Sequence, residues 1–219
     1  MHTIIFATNN EHKIKEIQSL VGSDFTIITL KEAGIDIDIP EPHETLQENA
    51  YEKAITIENI TKQNCFSEDT GLEIEALNGE PGVRSARYAG GNRNFQANID
   101  KVLEKLKGTT HRKAQFRTVI CLLWNKEVFY FEGICKGRIA ETMHGAEGFG
   151  YDPIFIPEGA SKSFAEMTME EKNIFSHRQK AVSQLFTFMH TIKPKTLLLV
   201  YSAWLIHFEQ WLLFLNLFA

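Results

Sequence analysis

The chain has 219 residues, 43% of them hydrophobic, and a formal net charge of −5. That length gives one domain or two closely packed lobes, with ample material for a sizeable core. The acidic balance argues against a duplex nucleic-acid binder, which needs an excess of Lys and Arg to meet phosphates, but not against a nucleotide binder that uses a few local cations. Cys65, Cys121 and Cys135 are widely spaced with no C-x-x-C. They point to buried thiols in a reducing compartment rather than to disulfides or a zinc site, and no signal peptide is read before the first apolar run.

That run, Thr3–Ala7, reads as a strand buried on both faces. It stops at Thr8-Asn9-Asn10, and a helix follows with Ile14, Ile17, Leu20 and Val21 on one stripe. Strand, polar turn and helix together aim backbone N–H groups at an anion. Lys13, three residues after Asn10, stands close to the mouth of the turn. The glycines of a P-loop are missing.

A second strand is read at Thr26–Leu30, then an acidic, proline-broken loop through Asp36, Asp38, Glu41 and His43. Thr45 and Glu48 form a capping box for a helix with Leu46, Ala50, Ala54 and Ile57 as its buried stripe. Lys53 borders that stripe and either reaches into a cleft or snorkels. Asn64-Cys65-Phe66 reads as the end of a buried strand, followed by Ser67-Glu68-Asp69-Thr70-Gly71-Leu72. Two adjacent carboxylates there are costly unless paired or bound to a cation. A hard ion such as Mg2+ takes one or two carboxylates and leaves room for substrate phosphates; a solvated acidic turn is the competing reading.

Phe95, Ile99, Val102, Leu103 and Leu106 lay out an amphipathic helix, and residues 115–124 and 127–135 a hairpin around Asn125-Lys126. This stretch is expected to supply wall and core rather than chemistry. In Glu147-Gly148-Phe149-Gly150-Tyr151-Asp152-Pro153 an aromatic between two glycines has an open ring face suited to stacking on a base; a turn with a core-anchoring aromatic is the alternative. Thr168 and Glu171 make a capping box for a short helix carrying Lys172, and Ser176 caps another with His177 and Arg178 in its first turn. Cations there oppose the helix dipole, so the pair costs stability unless it holds an anion or a base edge.

T-x-N-x-x-K-x-x-E from Thr8 to Glu16, Glu48-Asn49-Ala50 with Lys53-Ala54, Glu68–Leu72, Pro81-Gly82 with Ser85–Tyr88, Phe149–Pro153, and Glu171-Lys172-Asn173 with Ser176-His177-Arg178 follow in order. In that order they closely resemble the inosine triphosphate pyrophosphatase family across roughly residues 3–192. The resemblance implies an α/β fold, two lobes around a long mixed β-sheet with the active-site cleft between them, usually as a homodimer. It implies hydrolysis of ITP, dITP and XTP to the monophosphate and pyrophosphate with Mg2+; from cysteines and charge the expected setting is cytoplasmic, with no nucleic-acid partner. Asp69 would be the metal-binding carboxylate and base, and Glu41 the second metal ligand. Thr8, Asn9, Asn10, Lys13 and Lys53 would face the triphosphate; Phe149 would stack the base, with Asp152, Lys172, His177 and Arg178 completing the nucleotide site, and Thr70, Gly150 and Tyr151 would also bind substrate. His43 and Phe175 depart from the family pattern. A nucleotide-binding or tail-anchored interaction protein without turnover is the alternative.

After residue 195 the composition changes. Residues 197–219 are almost all apolar, long enough for a membrane span. His207 and Glu209 fall near the middle, where an acidic side chain costs roughly 2.5–3.5 kcal/mol on insertion. Residues 1–195 are therefore expected to be the catalytic domain, and 196–219 an atypical hydrophobic extension rather than a membrane anchor.

Overall fold

The computed structural model describes residues 2–21, 25–91 and 93–192. The expected extension at 196–219 lies outside them. The chain divides into two units, Met1–Leu185 and Phe186–Ala219. The first carries everything that follows; the second holds the last residues of the final described helix.

Among the described residues seven strands form one mixed sheet: β1 (His2–Phe6), β2 (Phe25–Thr29), β3 (Cys65–Ile74), β4 (Pro81–Gly82), β5 (Lys113–Trp124), β6 (Glu127–Ile139) and β7 (Phe155–Pro157). Their order is β2-β1-β3-β5-β6-β7, with β4 paired to β3. β1 runs parallel to β2 and β3, while the β3–β4, β3–β5, β5–β6 and β6–β7 pairs are antiparallel. Around the sheet lie α1 (Glu11–Gln18), α2 (Leu46–Thr61), α3 (Phe95–Lys105), α4 (Met169–Phe175) and α5 (His177–Thr191).

The long central strands carry a separate apolar cluster at each end. Ile5, Ala7, Leu30, Ala50, Ala54 and Ile57 surround the β1 end of β3 and β5. Leu72, Ile99, Phe116, Tyr151, Phe155 and Phe164 surround the other end. The hairpin turns at Asn125 (φ 51°) and Lys126 (φ 70°), the positive φ pair that a two-residue turn between twisted strands requires. Asn64 Oδ1 accepts from the Asn125 amide at 2.8 Å and ties that turn back to the start of β3.

Two capping expectations divide. Thr168 and Glu171 form a full reciprocal box at α4. At α2 the Thr45 hydroxyl accepts from the Glu48 amide, but the Glu48 carboxylate bonds the Thr45 hydroxyl instead of its backbone. A larger correction concerns residues 67–72. They do not follow the end of a strand; they are the middle of β3, with Ser67, Glu68 and Asp69 all buried. The strand continues through its carboxylates because cations from distant parts of the chain neutralise them.

Candidate active site

One cleft, about 1260 Å³ with its open mouth, is lined by the β1–α1 turn, the loop before α2, β3, the segment before α3, residues 149–152 and the ends of α4 and α5. At one end of it, Lys53 projects from α2 between two carboxylates. Its Nζ lies 2.8 Å from Glu41 Oε1 and 3.2 Å from Asp69 Oδ1. Arg87 Nη1 holds the other Glu41 oxygen at 2.6 Å. Burial alone would raise Glu41, but Lys53, then Lys13 and Arg87, offset it and hold the carboxyl at about 2. Asp69 goes the other way: burial pushes it above its ordinary value against the pull of Lys53 and Lys13. Lys53 is itself kept cationic, because Asp69 and Glu41 outweigh its burial. Asp69 Oδ2 is buried without a hydrogen-bond partner.

At the other end a chain of alternating charges runs through the protein. Lys13 Nζ lies 3.1 Å from Glu68, and Arg178 Nε bonds both Glu68 oxygens at 3.0 and 2.9 Å. Arg178 Nη1 bonds Glu16, whose other oxygen accepts from Lys172 at 2.7 Å. Lys172 also bonds Asp152 at 2.7 Å. Burial would raise Glu68, yet Arg178 and then Lys13 hold it at about 2. The first-turn conflict at α5 is thereby resolved within the fold: Arg178 holds two protein carboxylates. His177 stays neutral, because burial and then the Arg178, Lys172 and Lys13 charges push it well below its ordinary value. Its ring stacks on Phe116 at 4.7 Å and its Nδ1 has no partner.

The 149–152 segment is built by a turn on Asp152, whose Oδ2 accepts from the Phe149 amide at 2.9 Å. Gly148 is required beside it: φ is +76°, and a Cβ there would overlap that same Asp152 oxygen. Tyr151 is fixed by its hydroxyl on the Ser85 carbonyl at 2.8 Å.

Every residue expected in the site from sequence reaches this cleft: Thr8, Asn9, Asn10, Lys13, Glu41, Lys53, Asp69, Thr70, Phe149, Gly150, Tyr151, Asp152, Lys172, His177 and Arg178. Some roles are redistributed. Asn10 does not leave the first α1 amides open; its Oδ1 accepts from the His12 and Lys13 amides. Asn9 Nδ2 is held by the Ile37 carbonyl at 2.9 Å. The ring face of Phe149 is not open on both sides, since His12 stacks on it at 4.9 Å. Lys53 reaches into the cleft rather than snorkelling. Arg87, from the Ser85–Tyr88 motif, also belongs to the site, since it holds Glu41.

Sequence reasoning missed two groups. Glu16 appeared only as a motif letter, although its place four residues before Leu20 puts it beside the apolar stripe of α1 and signals burial. Arg87 likewise carried no role, and no local signal ties it to Glu41, 46 residues away.

Among the described residues no group of three or more His, Cys, Asp or Glu is arranged to hold a metal ion. A magnesium ion that also takes substrate phosphates needs only one or two carboxylates. The Glu41–Asp69 pair fits that requirement once Lys53 is displaced: Asp69 Oδ2 is free of partners, while the Glu41 oxygens are held by Lys53 and Arg87.

A sequence model of the Ham1 family matches residues 4–188. A dITP/XTP pyrophosphatase of Flavobacterium johnsoniae is 47% identical over 190 residues, covering 87% of this chain and 99% of that protein. One of Porphyromonas gingivalis is 50% identical over 190 residues, covering 86% and 98%. The solved Ham1 protein of Staphylococcus aureus superposes with a TM-score of 0.79 at 40% identity, covering 87% of this chain and 100% of that one.

Proposed function

This chain belongs to the Ham1 family, and from that premise we propose that it hydrolyses ITP, dITP and XTP to the monophosphate and pyrophosphate. The observation that carries the reading is one cleft joining two kinds of chemistry. At one end two carboxylates share Lys53; at the other a half-buried aromatic lies beside buried donors.

Glu41 and Asp69 would hold Mg2+, which when bound supplies positive charge to the phosphates and acidifies a water. Lys13 and Lys53 would meet the phosphate oxygens and offset charge developing on the leaving pyrophosphate, since phosphoryl chemistry rests on positioning and electrostatics. Asp69 Oδ1 is engaged by Lys53 and Oδ2 has no partner; Lys53 turning to the phosphates would release Oδ1, so that one oxygen would ligate the metal and the other would accept the proton of the attacking water. Its raised proton affinity suits that task.

Selectivity follows from His177. In the tautomer that carries its proton on Nδ1, the neutral His177 imidazole would have one buried donor with nothing to receive it. A purine 6-oxo group accepts that donor, whereas the amino group of adenine opposes it. A mismatch of this kind is worth on the order of 10⁴ in selectivity. Phe149 supplies the stacking surface.

The resemblance to the pyrophosphatase family supports a homodimer. The three free, buried cysteines, each pushed by burial to about 11 or 12, support a reducing, cytoplasmic setting. Among the described residues no helix is long and apolar enough to cross a membrane. The test is pyrophosphate release from ITP, XTP, GTP, ATP and dTTP, with and without Mg2+. Turnover of ITP and XTP that needs Mg2+ is expected; comparable rates on ATP would refute the selectivity argument, and release of orthophosphate alone would refute the reaction.

A further inference from the structure

Helix α1 touches both ends of the cleft, and one of its residues stands just outside the lining without an obvious chemical task. His12 and Glu16 are four residues apart, so they share a helix face. Glu16 pairs with Lys172 and Arg178, while the imidazole of His12 lies flat on Phe149, centroids 4.9 Å apart and planes 15° from parallel. Lys13, turned by one residue, points instead to Glu68. Phe95, at the start of α3, meets the His12 ring edge-on at 6.3 Å and tilts against Phe149 at 6.2 Å.

Phe149 needs such support. It is flanked by Gly148 at φ +76° and Gly150 at φ +62°, and its backbone is tied to a single residue, Asp152, whose carboxylate accepts from the Phe149 amide and whose own amide donates to the Phe149 carbonyl at 3.2 Å. Lys172 Nζ and Arg178 Cζ stand 5.4 and 5.7 Å from its ring centroid, and all three residues line the cleft. His12 is exposed and does not line it. Its stack therefore backs the ring from outside. The Asn10 cap that holds the His12 amide also holds that of Lys13, so one side chain sets both the phosphate cation and the backing ring.

We propose that His12 is a positioning residue for the purine: it backs Phe149 so that base, Phe149 and His12 form a three-tier stack, the first two tiers inside the cleft. This rests on reading the cleft as a purine nucleotide site. An aromatic pair of this geometry is worth a factor of about two to ten. His12→Ala in the full chain should raise KM for ITP by about that factor and leave kcat within about twofold. His12→Phe, which keeps a flat ring and loses the nitrogens, should restore the wild-type KM. The inhibition constant of inorganic tripolyphosphate, which has no base, should not move in either variant.

Three results would overturn the inference: an unchanged or lower KM in His12→Ala, a His12→Phe variant as impaired as the alanine, or tripolyphosphate binding weakened in step with ITP. The last would mean that His12 only shapes the Asn10–Lys13 turn. A wild-type chain without activity on ITP would instead overturn the reading of the site, and this inference with it.

Discussion

Replacing Glu16 by glutamine keeps the volume of a buried side chain and removes the charge between two cations. In the intact protein three carboxylates, Glu16, Glu68 and Asp152, face three cations, Lys13, Lys172 and Arg178. The substitution leaves that group one positive charge in excess. Lys172 keeps Asp152 at 2.7 Å and Arg178 keeps both Glu68 oxygens, so neither cation is stranded. Breaking a buried pair outright costs about 3–5 kcal/mol, and the retained partners place this case near the lower end, about 3 kcal/mol. At about 2–4 °C per kcal/mol for a domain of this size, the melting temperature should fall by roughly 6–12 °C. The assay is thermal unfolding followed by circular dichroism, paired with ITP kinetics, where KM should rise because Lys172 and Arg178 lose their common anchor. A variant melting within about 2 °C of the wild type with unchanged KM would refute the account of Glu16 as the brace of the base-binding end.

Asp69→Asn should lower kcat on ITP by at least about 10²-fold while nucleotide still binds, measured by calorimetry with ITP in the absence of turnover. Stability should fall in acid with a definite sign: the folded Glu68 carboxyl sits at about 2 against an ordinary 4.5, so its contribution, on the order of 3 kcal/mol, is complete above pH 4.5 and lost as pH falls through about 2. Asp69, raised on folding, works in the opposite direction and gains on protonation. Urea midpoints across that window should drop less steeply in Glu68→Gln than in the wild type, from a lower starting value at pH 7. Gly133→Ala should destabilise by about 3 kcal/mol, because the new Cβ would overlap the His177 carbonyl oxygen and stand 2.7 Å from the Ala181 amide nitrogen. It should also weaken ITP binding by pushing the first turn of α5 out of the cleft, read as a joint fall in melting temperature and rise in KM.

What was legible in the sequence follows from the range over which each signal acts. The Thr168–Glu171 box, the Asn125-Lys126 turn and the apolar run of β1 are set within a few residues, and each is found where the pattern puts it. The site residues were legible through ordered motifs, and all of them converge on one cleft. The path of β3 was not, because burial of Glu68 is made tolerable by Arg178, 110 residues later. A window that sees only Glu68-Asp69 reads a polar turn; the strand exists because its cations arrive from α1, α2 and α5. Phe149 shows the same limit on the aromatic side. Its glycine neighbours correctly mark an unusual backbone, yet nothing near it announces that a histidine from α1 covers one face.

The central claim is that Asp69 and Glu41 direct water at the α-phosphorus of a purine triphosphate. Turnover of ITP in 18O-labelled water, with products separated and weighed by mass spectrometry, tests it directly. The account predicts one labelled oxygen in IMP and none in pyrophosphate; label in pyrophosphate, with IMP unlabelled, would contradict it.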